Sequence, residues 1–156
     1  MALIHEKLYQ SKTLAKVEME SYIRELARTL LYTYNSRRID ILINISADEV
    51  YLDINSAVPC GLIINEIISN ACKHAFVGRS KGSIDIEFLK NNGIFQLSVK
   101  DDGIGMPEGT DLTNFNSLGI SLVNALASQL GAHLEVKTTT GVSYKLTFSE
   151  KIKPTK

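Results

Sequence analysis

The sequence predicts an α+β domain, a two-layer α/β sandwich in which helices cover one face of a mixed, mostly antiparallel sheet. Runs of alternating polar and apolar residues indicate half-buried strands, and three longer segments with helical periodicity are mixed among them. The chain has 156 residues, of which 44% are hydrophobic and 22% charged. This composition suits one globular domain with a sizeable core.

The order of the elements follows from periodicity and from turn residues. We expect helices at 3–11, 18–34, 56–76 and 118–130. Strands are predicted at 40–46, 50–53, 83–89, 94–100, 133–138 and 142–149. Asn91-Asn92-Gly93 and Thr140-Gly141 supply hairpin turns. Residues 106–116 are polar and lack a strong pattern, so a loop is predicted there.

The third predicted helix carries a polar stripe of unusual composition. At about 100° per residue, with Glu66 at zero, Asn70 lies near 40°, Lys73 near −20°, Ser69 near −60° and His74 near 80°. The opposite side is apolar and consists of Ile64, Ile67, Ile68, Ala71, Cys72 and Ala75. Asn and Ser are mediocre helix formers, so a merely solvated face would more often use Glu, Lys and Gln. The stripe is therefore a candidate binding surface.

A second polar segment follows the strand in which Phe95, Leu97 and Val99 are predicted to point inward. It reads Asp101-Asp102-Gly103-Ile104-Gly105. Glycines let the backbone approach a ligand closely, and a carboxylate at a strand end can accept hydrogen bonds from a planar amine. An acidic turn alone is common, but together with the helical stripe this segment indicates a nucleotide site.

In this order and spacing, the segments resemble the catalytic ATP-binding domain of sensor histidine kinases. That domain belongs to a superfamily shared with gyrase-type, chaperone and mismatch-repair ATPases. Four boxes carry the resemblance, which covers roughly residues 50–149: Leu62–Phe76 (N box), Asp101–Gly105 (D-x-G-x-G box), Ser117–Val123 (glycine box) and Gly141–Leu146 (G-T-x-F strand).

The resemblance implies ATP and Mg²⁺ as ligands and assigns roles on the helical stripe. Asn70 would ligate Mg²⁺, which prefers oxygen ligands and is completed by waters and substrate phosphates. Glu66, one turn earlier, would orient or deprotonate the nucleophile at the γ-phosphate. Lys73, and with it His74, would supply charge to phosphate, although His74 also suits a boundary position without a role in catalysis.

The other boxes would hold the base and the remaining phosphate contacts. Asp101 would accept the adenine amino group, and Gly103 and Gly105 would let the loop approach the base. Gly119, at a helix start, would present backbone amides to phosphate. Ser143 is the candidate hydroxyl of the closing strand.

Two departures from the family pattern accompany the resemblance. Ser117 stands where the first glycine of the glycine box is expected, which leaves Gly119 alone. Val142 or Ser143 stands where the closing strand usually has Thr. Neither departure removes Asn70 or Asp101, on which the interpretation depends.

The N-terminal residues resemble the linker that follows the phosphoacceptor helix in one group of histidine kinases. The stretch is His5-Glu6-Lys7-Leu8-Tyr9-Gln10-Ser11. We therefore expect a linker at 1–17, the catalytic domain at 18–150 and a tail at 151–156. The phosphoacceptor histidine would lie in a domain of the same protein upstream of this chain, and the final partner would be the receiver domain of a response regulator.

Charge and cysteine content exclude several classes of protein. Lys plus Arg and Asp plus Glu number 17 each, so a general nucleic-acid binder is not expected. Without an apolar run of about 20 residues or a leader, we expect a cytoplasmic segment with no membrane contact. Cys60 and Cys72 would lie about 18 Å apart on one helix, beyond disulfide reach. The scattered histidines offer no transition-metal site.

Other functions share these boxes. A protein-serine kinase acting on an anti-anti-sigma partner has the same fold, but would not be expected to carry the linker stretch. A nucleotide-binding module without activity also fits if Ser117 and the short loop at 106–116 weaken nucleotide affinity. An ATP-driven clamp of the gyrase type would need further domains than 156 residues can hold.

Overall fold

A computed structural model describes residues 16–36, 38–47, 49–105, 118–138 and 140–149. The helices are α1 (Met19–Tyr34), α2 (Ile54–Asn70), which runs into a π-helical turn at Ala71–Ala75, and α3 (Leu118–Leu130). The strands are β1 (Val17–Glu18), β2 (Asp40–Ser46), β3 (Tyr51–Leu52), β4 (Lys81–Asn91), β5 (Ile94–Asp101), β6 (His133–Lys137) and β7 (Ser143–Ser149). The helix predicted at 3–11 and the loop predicted at 106–116 fall outside the described residues.

The main sheet has five strands in the order β2-β4-β5-β7-β6. β2 pairs with β4 in parallel, and the other three pairings are antiparallel. β1 and β3 form a separate antiparallel pair of two residues each. The mixed, mostly antiparallel sheet predicted from the sequence is confirmed.

The core lies between the inner face of this sheet and the three helices. Along β4, β5 and β7 every second residue is buried, while the residues between them face outward and are mostly polar. Three aromatic rings pack together on the inner face, with centroids 6.0 Å apart for Phe88 and Phe95 and 5.3 Å apart for Phe95 and Phe148. This packed sheet holds the end of β5 in place, and the D-x-G-x-G box begins there.

Helix α2 is the element that carries the polar stripe, and its start is capped. The Asp53 carboxylate accepts a hydrogen bond from the backbone N–H of Ser56 at 2.9 Å, which satisfies one of the unpaired donors of the first turn. Gly61 packs directly against Tyr22 of α1, where an added Cβ would collide with the phenol oxygen. This close approach brings α1 alongside α2.

Three local features differ from the sequence prediction. Residues 71–75, predicted as ordinary α-helix, form the π-helical turn, so the angles assumed for Lys73 and His74 do not hold there. Val17 and Glu18 pair with β3, so the helix begins at Met19. Ser69, predicted on the polar stripe, is buried, and its hydroxyl donates to the backbone carbonyl of Glu66 at 3.2 Å. That bond satisfies the hydroxyl within its own helix.

Candidate nucleotide site

Asp101 is the last residue of β5 and is only 6% exposed. Its carboxylate oxygen Oδ1 accepts the backbone N–H groups of Gly103 at 2.9 Å and Val142 at 3.2 Å. The backbone N–H of Asp101 donates in turn to the carbonyl of Val142 at 3.0 Å. Among the described residues, both hydrogen bonds to this side chain fall on Oδ1, so Oδ2 is the oxygen that can accept from a ligand.

Electrostatics around Asp101 suit an acceptor held in a partly dry site. Burial raises the pKa of the Asp101 carboxyl, while the hydrogen bonds from Gly103 and Val142 act to lower it. Tyr144 of β7 is buried nearby, and burial together with the Asp101 charge raises the pKa of its phenol to about 12. The phenol is therefore neutral near pH 7 and can donate a hydrogen bond.

Two glycines let neighbouring segments close around this carboxylate. A Cβ on Gly103 would collide with the carbonyl oxygen of Ala75, and one on Gly141 would collide with the carbonyl oxygen of Asp101. Gly105 adopts φ +73°, and a Cβ there would lie 3.0 Å from the carbonyl oxygen of Thr138. We call Asp101, Gly103, Gly105 and Gly141 the strand end of the site.

The second part of the site, the polar face, consists of Glu66, Asn70, Lys73 and His74. Glu66 and Asn70 are half-buried and lie one turn apart on α2, whereas Lys73 and His74 are exposed in the π-helical turn. Within the part of the chain that the structure describes, no hydrogen bond engages the Glu66 carboxylate or the Asn70 amide. Among the described residues, nothing occupies the polar atoms of these two side chains.

A pair of residues that the sequence analysis did not predict, Arg79 and Asp102, links the segment after the π-helical turn to the segment after β5. We call this pair the clamp. Arg79 donates to the Asp102 carbonyl at 2.5 Å and to the Asp102 carboxylate at 3.3 Å. The other carboxylate oxygen of Asp102 accepts the backbone N–H of Ser83 at 2.8 Å. The backbone N–H of Ile104 reaches the carbonyl of Ala75 at 2.9 Å. The second acidic residue of the D-x-G-x-G box was the available signal for this arrangement.

One predicted site residue, Ser143, stands apart from this arrangement. Ser143 pairs with Lys100 of β5, and successive residues of a strand face opposite sides of a sheet. Its side chain therefore lies on the outer face, whereas Asp101 and Tyr144 are buried on the inner one. Gly119 is the second residue of α3, which packs beside α2. The structure does not bring Ser143 together with the strand end.

The donor set suits magnesium better than a transition metal. Among the residues that the structure describes, no three His, Cys, Asp or Glu side chains cluster as metal ligands. Magnesium needs few protein ligands, because it keeps several waters and shares the substrate phosphates. Asn70 and Glu66 offer oxygen atoms on one helix face.

Among the residues that the structure describes, no helix is long and apolar enough to cross a membrane.

The fold and the two-part site define a class of ATP-binding domain, and comparison with known proteins gives the family. The family model for histidine kinase-, DNA gyrase B- and HSP90-like ATPases matches residues 55–152, and a histidine kinase model matches residues 1–34. The chain belongs to the family of histidine kinase-, DNA gyrase B- and HSP90-like ATPases.

Its relatives include sensor histidine kinases. Blue-light-activated histidine kinase 2 of Erythrobacter litoralis is 36% identical over 97 residues, covering 62% of this chain and 28% of that protein. Sensor histidine kinase PdtaS of Mycobacterium tuberculosis is 31% identical over 132 residues, covering 82% of this chain and 25% of that protein. The chain thus spans about a quarter of the length of these relatives.

A solved structure agrees with the fold. The histidine kinase domain of the Erythrobacter litoralis EL346 blue-light activated histidine kinase superposes with a TM-score of 0.76 at 26% identity. The match covers 91% of this chain and 69% of that one. The catalytic ATP-binding domain of a sensor histidine kinase, predicted from the boxes, is confirmed. The particular linker group suggested by His5–Ser11 stays a prediction.

Proposed function

We propose that this chain binds ATP with Mg²⁺ and transfers the γ-phosphoryl group to a histidine in the phosphoacceptor domain of the same protein. The receiver domain of a response regulator would then accept the phosphoryl group, and the reaction would take place in the cytoplasm. The observation that carries the proposal is the buried Asp101 carboxylate, whose Oδ1 is fixed by two backbone N–H groups beside the polar face.

The strand end binds the base. Because Oδ1 of Asp101 is occupied, Oδ2 accepts the exocyclic amine of adenine, a donor that guanine does not present at that position. Gly103 and Gly141 allow the backbone to close around the carboxylate. Gly105 continues the loop beside the base. Burial strengthens the hydrogen bond to the ionised carboxylate, because less water competes for it.

The polar face handles the phosphates. Bound Mg²⁺ would neutralise phosphate charge and orient the γ-phosphoryl group for in-line transfer. Asn70 would hold the metal through its amide oxygen, and Glu66, one turn earlier, would orient the acceptor imidazole or take its proton. Lys73 contributes positive charge to the phosphates, assisted by His74. Gly119 offers a backbone N–H at the start of α3.

Nucleotide titration with and without Mg²⁺ tests the binding step. We expect ATP to bind more tightly than GTP, and Mg²⁺ to increase ATP affinity. Equal affinity for ATP and GTP would remove the role of Asp101, and the absence of any nucleotide binding would overturn the proposal.

A second assay tests the transfer step. The chain is mixed with a histidine-bearing phosphoacceptor domain and γ-labelled ATP, and the label is checked for acid stability. Acid-labile phosphate on the acceptor is expected, because phosphohistidine hydrolyses in acid. Acid-stable phosphate on a serine-bearing partner would instead support the protein-serine kinase interpretation.

A further inference from the structure

Lys73 of the polar face contacts an aromatic residue of another helix. Its Nζ lies 5.2 Å from the centroid of the Tyr34 ring, a distance at which an ammonium ion is attracted to the ring face. Tyr34 is the last residue of α1 and is half-buried, whereas Lys73 is exposed. The contact therefore joins the end of α1 to the residue proposed to meet the phosphates.

The contact is part of a longer apposition of α1 and α2. Tyr22, near the start of α1, packs against Gly61 of α2, and Tyr34 at its end meets Lys73 just beyond α2. α1 therefore follows the flank of α2 up to the π-helical turn. Because both ends of α1 are in contact, the position of the Tyr34 ring is tied to the packing of the whole helix.

A lysine held against a ring is better prepared for phosphate than a free one. Its long, flexible side chain loses rotamer entropy when it is ordered. The ring attracts the ammonium from one side only, so N–H donors on the other sides can reach an anion. The ring thus restricts where Nζ goes without neutralising its charge.

We propose that Tyr34 is a positioning residue that holds Lys73 where the phosphates of ATP bind. This inference rests on the proposed function of the polar face.

Calorimetric titration of Mg-ATP tests the role of the ring. Tyr34→Leu should weaken Mg-ATP binding about 2- to 5-fold, the range for an exposed cation–π contact. Tyr34→Phe should restore most of the affinity, because it keeps the ring. Tyr32→Leu is the matched control, since Tyr32 lies on the same helix and is 93% exposed. It should bind Mg-ATP like the wild type.

Adenosine separates positioning from general damage to the fold. Its affinity should be the same in Tyr34→Leu and wild type, because adenosine lacks the phosphates that Lys73 would meet. A fall in adenosine affinity equal to that for Mg-ATP would show that the substitution disturbs the whole domain and would overturn the positioning role.

A double-mutant cycle identifies the partner of Tyr34. Lys73→Met alone should weaken Mg-ATP binding more than Tyr34→Leu does, and adding Tyr34→Leu to Lys73→Met should cause no further loss. Additive losses would overturn the inference while leaving the role of Lys73 intact. No effect of Lys73→Met on Mg-ATP affinity would instead remove the proposed role of Lys73 itself.

Discussion

The strand end and the polar face are built in different ways. At the strand end, the key side chain is buried and held by backbone groups from two segments, Gly103 and Val142. On the polar face, the candidate ligands are half-buried or exposed, and the one described contact of a charged group is that of Lys73 with the Tyr34 ring. The strand end is held in place by backbone hydrogen bonds, whereas the polar face consists of side chains that project from a helix and the turn after it.

This difference predicts how each half responds to nucleotide. The strand end is preorganised, so base binding should need no metal and should depend strongly on one carboxylate. The polar face presents groups whose partners are supplied by the ligand, so its contribution should appear only with Mg²⁺ and phosphates. A strand-end substitution that acts only with Mg²⁺, or a polar-face substitution that acts equally without Mg²⁺, would contradict this difference.

The largest effect is expected for Asp101→Asn. The loss of a charge-assisted hydrogen bond to the adenine amine is worth roughly 1.5 to 3 kcal/mol, or about 10- to 150-fold in affinity. If the new amide keeps its oxygen on the N–H groups of Gly103 and Val142, its NH₂ faces the adenine amine, donor against donor. Calorimetry should show that ATP and ADP weaken much more than GTP.

The stability of Asp101→Asn supplies its control. Because burial raises the pKa of Asp101 above 3.8, the folded state holds more protons than the unfolded state between that value and the raised pKa. Stability from this group is therefore present at low pH and is lost as pH rises through the raised pKa. Near pH 7 the Asn variant should melt at the same temperature as wild type or higher. A lower melting temperature would mean that the affinity loss reflects unfolding.

The next effect concerns the metal. Asn70→Ala should lose most of the Mg²⁺-dependent increase in ATP affinity but keep the weaker metal-free binding, because the base is held by a different segment. Titrations of ATP with and without Mg²⁺ measure both quantities. An unchanged Mg²⁺ effect would contradict the ligand role.

Glu66→Gln is the matched comparison on the same helix face. Since Glu66 is proposed to act on the reacting group, this variant should keep Mg-ATP affinity within a few fold and lower phosphoryl transfer to an added acceptor domain. If Glu66→Gln instead abolishes the Mg²⁺ effect, Glu66 is a metal ligand and not the group that acts on the acceptor.

A smaller effect is expected from the clamp between Arg79 and Asp102. These side chains are 37% and 50% exposed, so the ion pair is worth roughly 0.2 to 1 kcal/mol. Arg79→Gln should weaken ATP up to about 5-fold, and by the same factor with and without Mg²⁺, because the clamp acts on the strand end. Arg24→Gln, which breaks an exposed ion pair with Glu20 on α1, should leave affinity unchanged. A loss confined to Mg-ATP would show that the clamp acts on the polar face instead.

The features that could be predicted from the sequence are local ones. β2 was predicted at 40–46 and lies at Asp40–Ser46, and β5 was predicted at 94–100 and lies at Ile94–Asp101. Strand periodicity and turn residues are local signals, so they can be recognised within a few residues of one another. The carboxylate at the end of β5 was recognised in the same way.

Contacts between distant residues were not predictable in this manner. The pairing of Tyr34 with Lys73 and that of Arg79 with Asp102 depend on how α1, the π-helical turn and the sheet pack together. Neither pair leaves a periodic pattern in the sequence. Ser69 was placed on the polar stripe by its helical angle, but its side chain is buried. Its hydroxyl donates to a backbone carbonyl of its own helix, and this bond allows a polar side chain to be buried there.

The smallest effect is expected for Ser143→Ala, a position that the family pattern assigned to the nucleotide. Its strand register pairs it with the exposed Lys100 and turns its side chain to the outer face of the sheet, away from Asp101. The segment reaches the strand end through the backbone N–H of Val142 instead, and this substitution leaves that group unchanged. ATP affinity of Ser143→Ala should therefore stay within about 2-fold of wild type by calorimetry. A loss as large as that of Arg79→Gln would mean that the Ser143 hydroxyl reaches the base. The first residue of β7 would then have to turn inward when nucleotide binds.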